Sequence, residues 1–291
     1  MAELADKVAV VGLGAMGARI ARRLLDRGYR VIVWNRSVEK AQALEGAGAI
    51  RAEDPAHAAR LAQVLITMVS DPAALRDVTA GPQGIAAGAG EALTVVEMST
   101  VGPDAVSWLR SALPASAALL DAPVLGSVAE VEAGTLQLFV GGDAACAERL
   151  WPLFMSIGNP MRVGGLGSGA RAKLVANAAL FGVLGALGES LALAQALGLP
   201  TDTAFDVLAK TPLGAQAERR RAAIESGEYP QRFALSLARK DTDLIAEAVG
   251  RGTHLPVLGA ARSWLHAAES AGLGESDYSA VLSLILSGGR G

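Results

Sequence analysis

The stretch Val8-Ala-Val-Val-Gly12-Leu-Gly14-Ala-Met-Gly17 decides the fold, because an apolar run of strand length passes directly into three spaced glycines. Gly12 permits a tight turn, Gly14 lets the backbone approach a pyrophosphate, and Gly17 allows a helix to pack closely on the strand. An amphipathic helix pattern follows over 15–27, and its N-terminus would attract phosphate charge. This predicts the start of a dinucleotide-binding fold. The residues expected at the cofactor are Gly12, Leu13, Gly14, Ala15, Met16 and Gly17.

Apolar runs of strand length recur through the first half of the chain and alternate with helix patterns. Such alternation is typical of a parallel, doubly wound sheet. After the glycine-rich segment 158–169 the strand pattern stops, and Ser168 is expected to cap a long apolar helix over 169–197. We therefore predict an α/β fold, with a Rossmann-type domain over 1–165 joined by this helix to an all-α domain over 166–291. Strands are expected at 7–11, 30–34, 63–69, 93–98, 118–121, 136–140 and 161–163.

Composition excludes several classes of protein. The 26 basic and 29 acidic residues leave no excess of positive charge for a nucleic acid, and one cysteine with three scattered histidines assembles neither a disulfide nor a zinc site. The apolar run 174–188 is shorter than the ~20 residues of a membrane span, and residues 1–6 leave no room for a targeting segment. We expect a cytoplasmic protein without metal. The long helix predicted over 169–197 is apolar nearly all round, which favours a homo-oligomer, either a dimer or a tetramer.

The residues after the second predicted strand, Asn35-Arg36-Ser37, indicate which dinucleotide is bound. An acidic residue at this place would hold a free ribose 2′-hydroxyl, whereas an arginine would hold a 2′-phosphate. No carboxylate occurs there, and the planar fork of Arg36 suits phosphate oxygens. We predict NADP rather than NAD, with Arg36 beside the adenine and Asn35 and Ser37 as supporting donors. The alternative is a solvated loop arginine.

Lys173 and Asn177 stand out because the chain has only five lysines and three asparagines. They fall one turn apart on the predicted long helix, and the residues between them are apolar. Partial burial of an amine favours its neutral form, and a group poised near neutrality both gives and takes a proton at pH 7. The pair therefore predicts an acid–base site. The alternative is a lysine that reaches the surface from the helix start, while Asn177 bonds a neighbouring carbonyl.

Five stretches, in order, resemble the motifs of the β-hydroxyacid dehydrogenase family, which includes 3-hydroxyisobutyrate dehydrogenase and the semialdehyde reductases. The resemblance covers nearly the whole chain and implies hydride transfer between NADPH and a small aldehyde or semialdehyde acid. It implies that Lys173 protonates the aldehyde oxygen, acting as general base in reverse, and that Asn177 positions the lysine and the substrate. The resembling stretches are 12–17, 98–103, 121–126, 167–177 and 240–241.

The resemblance also implies roles for residues at the ends of the strands and in the second domain. Ser99, with Thr100, would line the nicotinamide and substrate region, and Lys240 would close the site near the cofactor. For Lys240 the alternative is a surface ion pair with Asp241 or Asp243. The residues expected along the cofactor are Met68, Val69, Ser70 and Thr100.

One stretch departs from the family pattern. Leu125-Gly126-Ser127 stands where the family usually carries Ser-Gly-Gly or a close variant to receive the substrate carboxylate. The backbone N–H groups of Gly126 and Ser127, with the Ser127 hydroxyl, would still bind an anion. Alternatively, Leu125 packs against a helix or against a larger, more apolar substrate. The sequence leaves the substrate open between these two interpretations.

Two other functions fit the cofactor half of the chain. Imine reductases resemble it there, but they generally carry another residue at the place of Lys173. A non-catalytic NADP-binding regulator would keep the glycines and Arg36 and would have no use for a buried Lys173 and Asn177. 6-Phosphogluconate dehydrogenase is a more distant relative, because its helical portion is much longer than residues 166–291 allow. The lysine therefore favours a carbonyl reductase over these alternatives.

Overall fold

Strands and helices alternate from Lys7 to Gly164, and helices make up nearly all that follows. The structure, a computed structural model, describes residues 6–288, and the chain divides into two compact units, the first ending at Leu174 and the second beginning at Val175. The division falls inside the long helix. The strands of the first unit are β1 (Lys7–Val11), β2 (Arg30–Trp34), β3 (Ile50–Arg51), β4 (Val64–Thr67), β5 (Thr94–Glu97), β6 (Ala118–Asp121), β7 (Val124–Leu125), β8 (Leu136–Gly142) and β9 (Gly158–Gly164).

Helices cover both faces of this sheet, as the alternating pattern predicted. The helices up to the division are α1 (Ala15–Asp26), α2 (Val38–Glu45), α3 (Pro55–Leu61), α4 (Pro72–Thr79), α5 (Ile85–Gly88), α6 (Gly102–Ala112), α7 (Val128–Ala133), α8 (Ala144–Arg149), α9 (Trp151–Ile157) and the long α10 (Ser168–Ala196), which continues into the second unit. The helices α8 and α9 are separate, because Pro152 in the first turn of α9 lacks the N–H that would continue α8.

The sheet has the strand order β3-β2-β1-β4-β5-β6-β8-β7, with β9 beside β8. Strands β1 to β6 are parallel, which confirms the predicted Rossmann-type fold. One strand departs from the predicted parallel sheet: β8 runs antiparallel to β6 and β7. Its connection from β7, residues 126–135, is shorter than the dozen or so residues of a parallel crossover.

Side chains of the strands alternate between two apolar cores, one on each face of the sheet. Val10 packs with Ile20 of α1 on one face, and Val11 lies in the cluster that contains Leu109 of α6 on the other. The last residues of β1, β4, β5 and β6 pair in register across the sheet. This row places polar residues side by side at the carboxyl edge of the sheet. Its members are Val11, Thr67, Glu97 and Asp121.

The second unit is helical within the described residues, as predicted. Phe181 and Leu187 of α10 are buried in its core. By length and composition alone, α10 could cross a membrane: an 18-residue stretch of it has a mean hydropathy of 1.6, and 39% of that stretch is buried. The apolar part of this helix is therefore longer than the run 174–188. The further helices are α11 (Thr201–Leu208), α12 (Gly214–Ser226), α13 (Leu235–Val249), α14 (Pro256–Ala268) and α15 (Val281–Leu286), with short turns at Gly250–Gly252, Glu269–Leu273 and Tyr278–Ala280.

Candidate active site

The glycine turn between β1 and α1 has the shape that a bound pyrophosphate requires. Gly12 has a φ of +98°, and a Cβ there would collide with the carbonyl oxygen of Met68. A Cβ on Gly17 would collide with the carbonyl oxygen of Gly12. A Cβ on Gly14, in contrast, would have no other atom within 4 Å. Two glycines are therefore required by packing, and the third leaves the approach to α1 open.

The start of α1 is suited to an anion. Within the described part of the chain it has no capping side chain, and its first turn carries no acidic residue, so its N–H groups remain available to a phosphate. Asn35 accepts a hydrogen bond on Oδ1 from the N–H of Leu13 (2.9 Å) and donates from Nδ2 to the carbonyl of Ser37 (3.1 Å). Asn35 thus holds the glycine turn against the end of β2. Arg36 and Ser37 are exposed beside it, and these residues fit a dinucleotide.

A buried carboxyl connects the ends of β4 and β5. Glu97 accepts hydrogen bonds from the hydroxyl of Thr67 and, at 2.6 Å, from the N–H of Ser99. The Ser99 hydroxyl in turn accepts from the N–H of Val69 at 2.9 Å. Burial raises the pKa of Glu97 to about 7, assisted by the neighbouring carboxylate of Asp121 and opposed by these hydrogen bonds. Glu97 therefore brings together Ser99 and Val69, two residues predicted to lie along the site.

Replacing this carboxyl should change how stability depends on pH. The pKa of Glu97 in the fold is about 7, above its ordinary value of 4.5, so its stabilising contribution is complete below pH 4.5 and is lost as the pH rises through 7. Relative to Glu97→Gln, the wild-type free energy of unfolding should fall by about 3 kcal/mol between acid and mildly alkaline pH. Urea unfolding of both proteins across this range checks it; a pH-independent difference would contradict a buried, titrating carboxyl.

Asp121, at the end of β6, anchors the start of α10. Its two carboxylate oxygens accept from the N–H groups of Gly167 (2.8 Å) and Ala170 (2.7 Å). Burial raises the pKa of Asp121, and the backbone hydrogen bonds oppose that shift. The prediction that Ser168 caps this helix is therefore corrected: α10 begins at Ser168, and the acceptor comes from a strand distant in sequence. Lys173 lies in the next turn of α10 and is 8% exposed.

Asn177, one turn after Lys173, is 1% exposed and is oriented by a carboxylate. Its Nδ2 donates to Oδ2 of Asp241 at 2.8 Å. Its Oδ1 is buried and finds no hydrogen-bond partner among residues 6–288. A buried amide oxygen without a donor is costly, so this atom is a candidate acceptor for a substrate hydroxyl or an ammonium group.

Lys240 pairs with Asp241, one of the two acids expected as its alternative partners, but this ion pair is largely buried and does not lie on the surface. Its Nζ lies 2.8 Å from Oδ1 of Asp241, whose other oxygen holds Asn177. Asp243, the other acid considered, interacts instead with Arg239 and His266. A contact of Lys240 with the cofactor remains a prediction.

The loop that was expected to receive an anion is already hydrogen-bonded within the chain. The N–H and the hydroxyl of Ser127 both donate to Oε2 of Glu130, each at 2.7 Å. Leu125 is half-buried and pairs with Gln137 of β8, whereas Gly126 is exposed with a φ of +135°. Both Ser127 donors that were expected to bind an anion therefore already donate to a carboxylate.

The remaining predicted residues occupy the carboxyl edge of the sheet in the first unit. Met68 packs against the core on the α1 face, the Ser70 hydroxyl donates to Asp71 (2.7 Å), and Thr100 is half-buried. Sequence reasoning assigned no role to the carboxylates that hold these residues and α10 in place. A carboxylate at the end of an apolar strand, as at Glu97 and Asp121, was the available signal, because such residues are rarely buried without a partner. The carboxylates without an assigned role are Glu97, Asp121, Glu130 and Asp241.

Two family descriptions match consecutive parts of the chain. The NAD binding domain of 6-phosphogluconate dehydrogenase matches residues 7–167, and the NAD-binding domain of NADP-dependent 3-hydroxyisobutyrate dehydrogenase matches residues 167–285. Together they span almost all of the described residues. Both descriptions are of domains that bind nicotinamide dinucleotides, in agreement with the glycine turn.

Individual relatives match over nearly their full length. The chain is 34% identical to 3-sulfolactaldehyde reductase of Escherichia coli, covering 94% of each chain. It is 32% identical to glyoxylate/succinic semialdehyde reductase 1 of Arabidopsis thaliana, covering 96% of this chain and 98% of the relative. Among solved structures, 3-hydroxyisobutyrate dehydrogenase of Mycobacterium tuberculosis with L-serine matches with a TM-score of 0.86 and 26% identity, covering 97% and 99% of the two chains.

Proposed function

The chain belongs to the β-hydroxyacid dehydrogenase family, and from this membership we propose that it transfers hydride from NADPH to a small aldehyde or semialdehyde acid, and in reverse oxidises the corresponding hydroxyacid. The observation that carries the proposal is the pair of buried polar side chains on α10, Lys173 and Asn177, one turn apart. The direct test is NADPH oxidation by the purified protein offered such a carbonyl. Turnover supports the proposal, and its absence across the whole class contradicts it.

In this reaction the chain supplies the proton and its positioning. The cofactor, when bound, supplies the hydride to the carbonyl carbon. Lys173 donates a proton to the carbonyl oxygen as negative charge develops there, which completes the alcohol; in the oxidation direction its amine takes the proton back. Oδ1 of Asn177, on the amide that Asp241 orients, is the acceptor for the substrate hydroxyl. The Asp121 anchor fixes the turn of helix from which Lys173 extends.

The choice of NADPH over NADH is part of the proposal and is assigned to Arg36. Its exposed position after β2 and the absence of a carboxylate in 35–37 support it, as does the NADP-dependent family description. Arg36→Ala should raise the Michaelis constant for NADPH about tenfold or more and change that for NADH little, since it removes a charge-assisted contact to the 2′-phosphate.

Arg30→Ala is the matched control, because Arg30 is also exposed and lies at the opposite end of β2. It should leave both Michaelis constants within about twofold, the spread expected of a surface substitution. Equal changes for NADPH and NADH in Arg36→Ala would show that this arginine does not meet the 2′-phosphate.

We also propose that the protein acts in the cytoplasm as a homo-oligomer. Three apolar side chains of α10 and its C-terminal turn support an interface between copies: Val175, Leu193 and Leu197 are 71%, 60% and 76% exposed. Light scattering should give the mass of a dimer or a tetramer. A monomer at micromolar concentration would contradict this part of the proposal.

A further inference from the structure

The crevice in which a dinucleotide is expected lies between the ends of β1 and β4. Along the chain, the sheet is built outward from β1 to β3 on one side and from β4 to β6 on the other. Open α/β sheets bind ligands at such a reversal, outside the carboxyl ends of the strands. The segment after β4 lies against the glycine turn there, because a Cβ on Gly12 would collide with the carbonyl oxygen of Met68 and lie 3.2 Å from Cγ1 of Val69.

A buried carboxyl holds this segment in place. Val69 donates its N–H to the hydroxyl of Ser99 (2.9 Å), and Ser99 donates its own N–H to Oε1 of Glu97 (2.6 Å). The other carboxyl oxygen accepts from the hydroxyl of Thr67, the last residue of β4. Glu97 is 1% exposed. Two hydrogen bonds in series therefore connect a carboxyl without access to water to the segment that contacts the glycine turn.

Burial, more than any neighbouring charge, disfavours the ionised form of Glu97. Asp121, its partner in register on β6, places a second carboxylate beside it. The helices on the same face of the sheet carry further charged groups: Asp71 caps α4, exposed Asp104 lies in the first turn of α6, and Lys173 extends from α10. The pKa of Glu97 is about 7, so this carboxyl changes its charge near neutral pH.

A bound dinucleotide would bring further negative charge to this place, because its pyrophosphate is expected at the start of α1. We propose that Glu97 is a positioning residue of the cofactor site that takes up a proton from water when the dinucleotide binds, so that its charge governs the affinity for NADPH. The proton adds to the carboxylate and returns to water on release. This inference rests on the proposed function, since it takes the glycine turn 12–17 as the NADPH site.

The direction of the effect follows from linkage. The bound anion disfavours ionised Glu97, so affinity is highest where the carboxyl is protonated, below pH 7, and falls as the pH rises through 7. A unit charge roughly 10 Å away, in a medium of effective dielectric constant about 20, changes an equilibrium roughly tenfold. The dissociation constant of NADPH should therefore rise about tenfold between about pH 6.5 and 9, until Glu97 is ionised in free and bound protein alike.

A purely structural role for Glu97 predicts something different. It would make stability depend on pH and leave the pH dependence of NADPH affinity unchanged when the charge is removed. Glu97→Gln separates the two roles, because its amide still accepts from Ser99 and donates to Thr67, as a protonated carboxyl does, and is uncharged at every pH. Glu91→Gln is the matched control: Glu91 is exposed in the turn before β5, at the opposite end of the same strand.

The experiment measures the NADPH dissociation constant of the three proteins by fluorescence titration between about pH 6.5 and 9, with no carbonyl present. The 2′-phosphate of NADPH titrates near pH 6 in each of them, so the ratio of wild type to Glu97→Gln isolates the carboxyl. That ratio should rise about tenfold over the range. The ratio of wild type to Glu91→Gln should stay within about twofold.

A second measurement needs no variant. In wild-type protein carrying carbon-13 in its glutamate carboxyl groups, the NMR signal that titrates near neutral pH should move its midpoint upward by about one pH unit when NADPH is bound, the equivalent of tenfold in affinity. A midpoint that NADPH does not move, or a wild-type to Glu97→Gln ratio that is independent of pH, overturns the inference and leaves the proposed function intact. Proton-linked binding without oxidation of NADPH by any aldehyde overturns the proposed function instead, and absence of NADPH binding overturns both.

Discussion

Lys173→Ala is expected to lower kcat by roughly 10²–10⁴-fold, the range of a lost general acid, while the dissociation constant of NADPH stays nearly unchanged. Lys173 is 8% exposed and lies in the second turn of α10, whereas the pyrophosphate is expected at the glycine turn 12–17. The substitution removes the proton donor and leaves the residues assigned to the cofactor in place. Loss of turnover without loss of cofactor affinity is the result that distinguishes a catalytic lysine from a binding one.

Lys210→Ala serves as the control, because Lys210 is an exposed lysine beyond α11. Its kcat should equal that of the wild type, and its folding should be unaffected. Full activity in Lys173→Ala would contradict the mechanism. A large rise in the NADPH dissociation constant would mean that Lys173 binds the cofactor and is not the proton donor.

Asp121→Ala is expected to destabilise the protein by about 2–5 kcal/mol, because it leaves the N–H groups of Gly167 and Ala170 buried without an acceptor. Those two groups flank the start of the helix that carries Lys173, so the lysine should also lose its fixed position. We expect kcat to fall by roughly 10–10²-fold in the folded fraction, the cost of a small misplacement of a reacting group. Urea unfolding and steady-state kinetics below the transition check both effects.

Two further variants define the role of Asp121. Asp121→Asn retains one carbonyl oxygen as acceptor, so it should recover part of the stability and of kcat. Asp143→Ala removes a similar cap from α8, where the exposed Asp143 accepts from the N–H of Cys146 at 2.8 Å. It should cost about 1 kcal/mol and leave kcat unchanged. Equal losses of kcat in Asp143→Ala and Asp121→Ala would mean that Asp121 contributes stability alone.

The pattern of the sequence predicted most of the first unit because its signals are local. The run into Gly12, Gly14 and Gly17 identifies β1 and α1, and alternation of apolar strands with helices gives the order of the parallel strands. The direction of β8 was not predictable, since an apolar run does not reveal whether a strand is parallel or antiparallel. The two-residue strands β3 and β7 were too short to produce a period of two.

The hydrogen-bond partners of the site residues could not be predicted from the sequence, for a related reason. Rarity and spacing identified Lys173 and Asn177, but the carboxylate that orients Asn177 lies 64 residues further along the chain. Asp121 reaches Gly167 across 46 residues, and Glu97 reaches Thr67 across 30. Such contacts depend on which strand ends become neighbours, so only the sheet order reveals them. Glu130 was missed although it is local, because a glutamate three residues after a serine is typical of an ordinary helix start.

The measurement that tests the central claim most directly is NADPH oxidation by the wild type and Lys173→Ala, offered the same panel of carbonyls and cyclic imines. The panel contains methylmalonate, tartronate and succinic semialdehydes, glyoxylate, uncharged aldehydes and cyclic imines. The account predicts turnover of at least one aldehyde by the wild type that falls roughly 10²–10⁴-fold in the variant. Turnover confined to imines, equal turnover by both proteins, or NADPH binding without oxidation of any kind would contradict it.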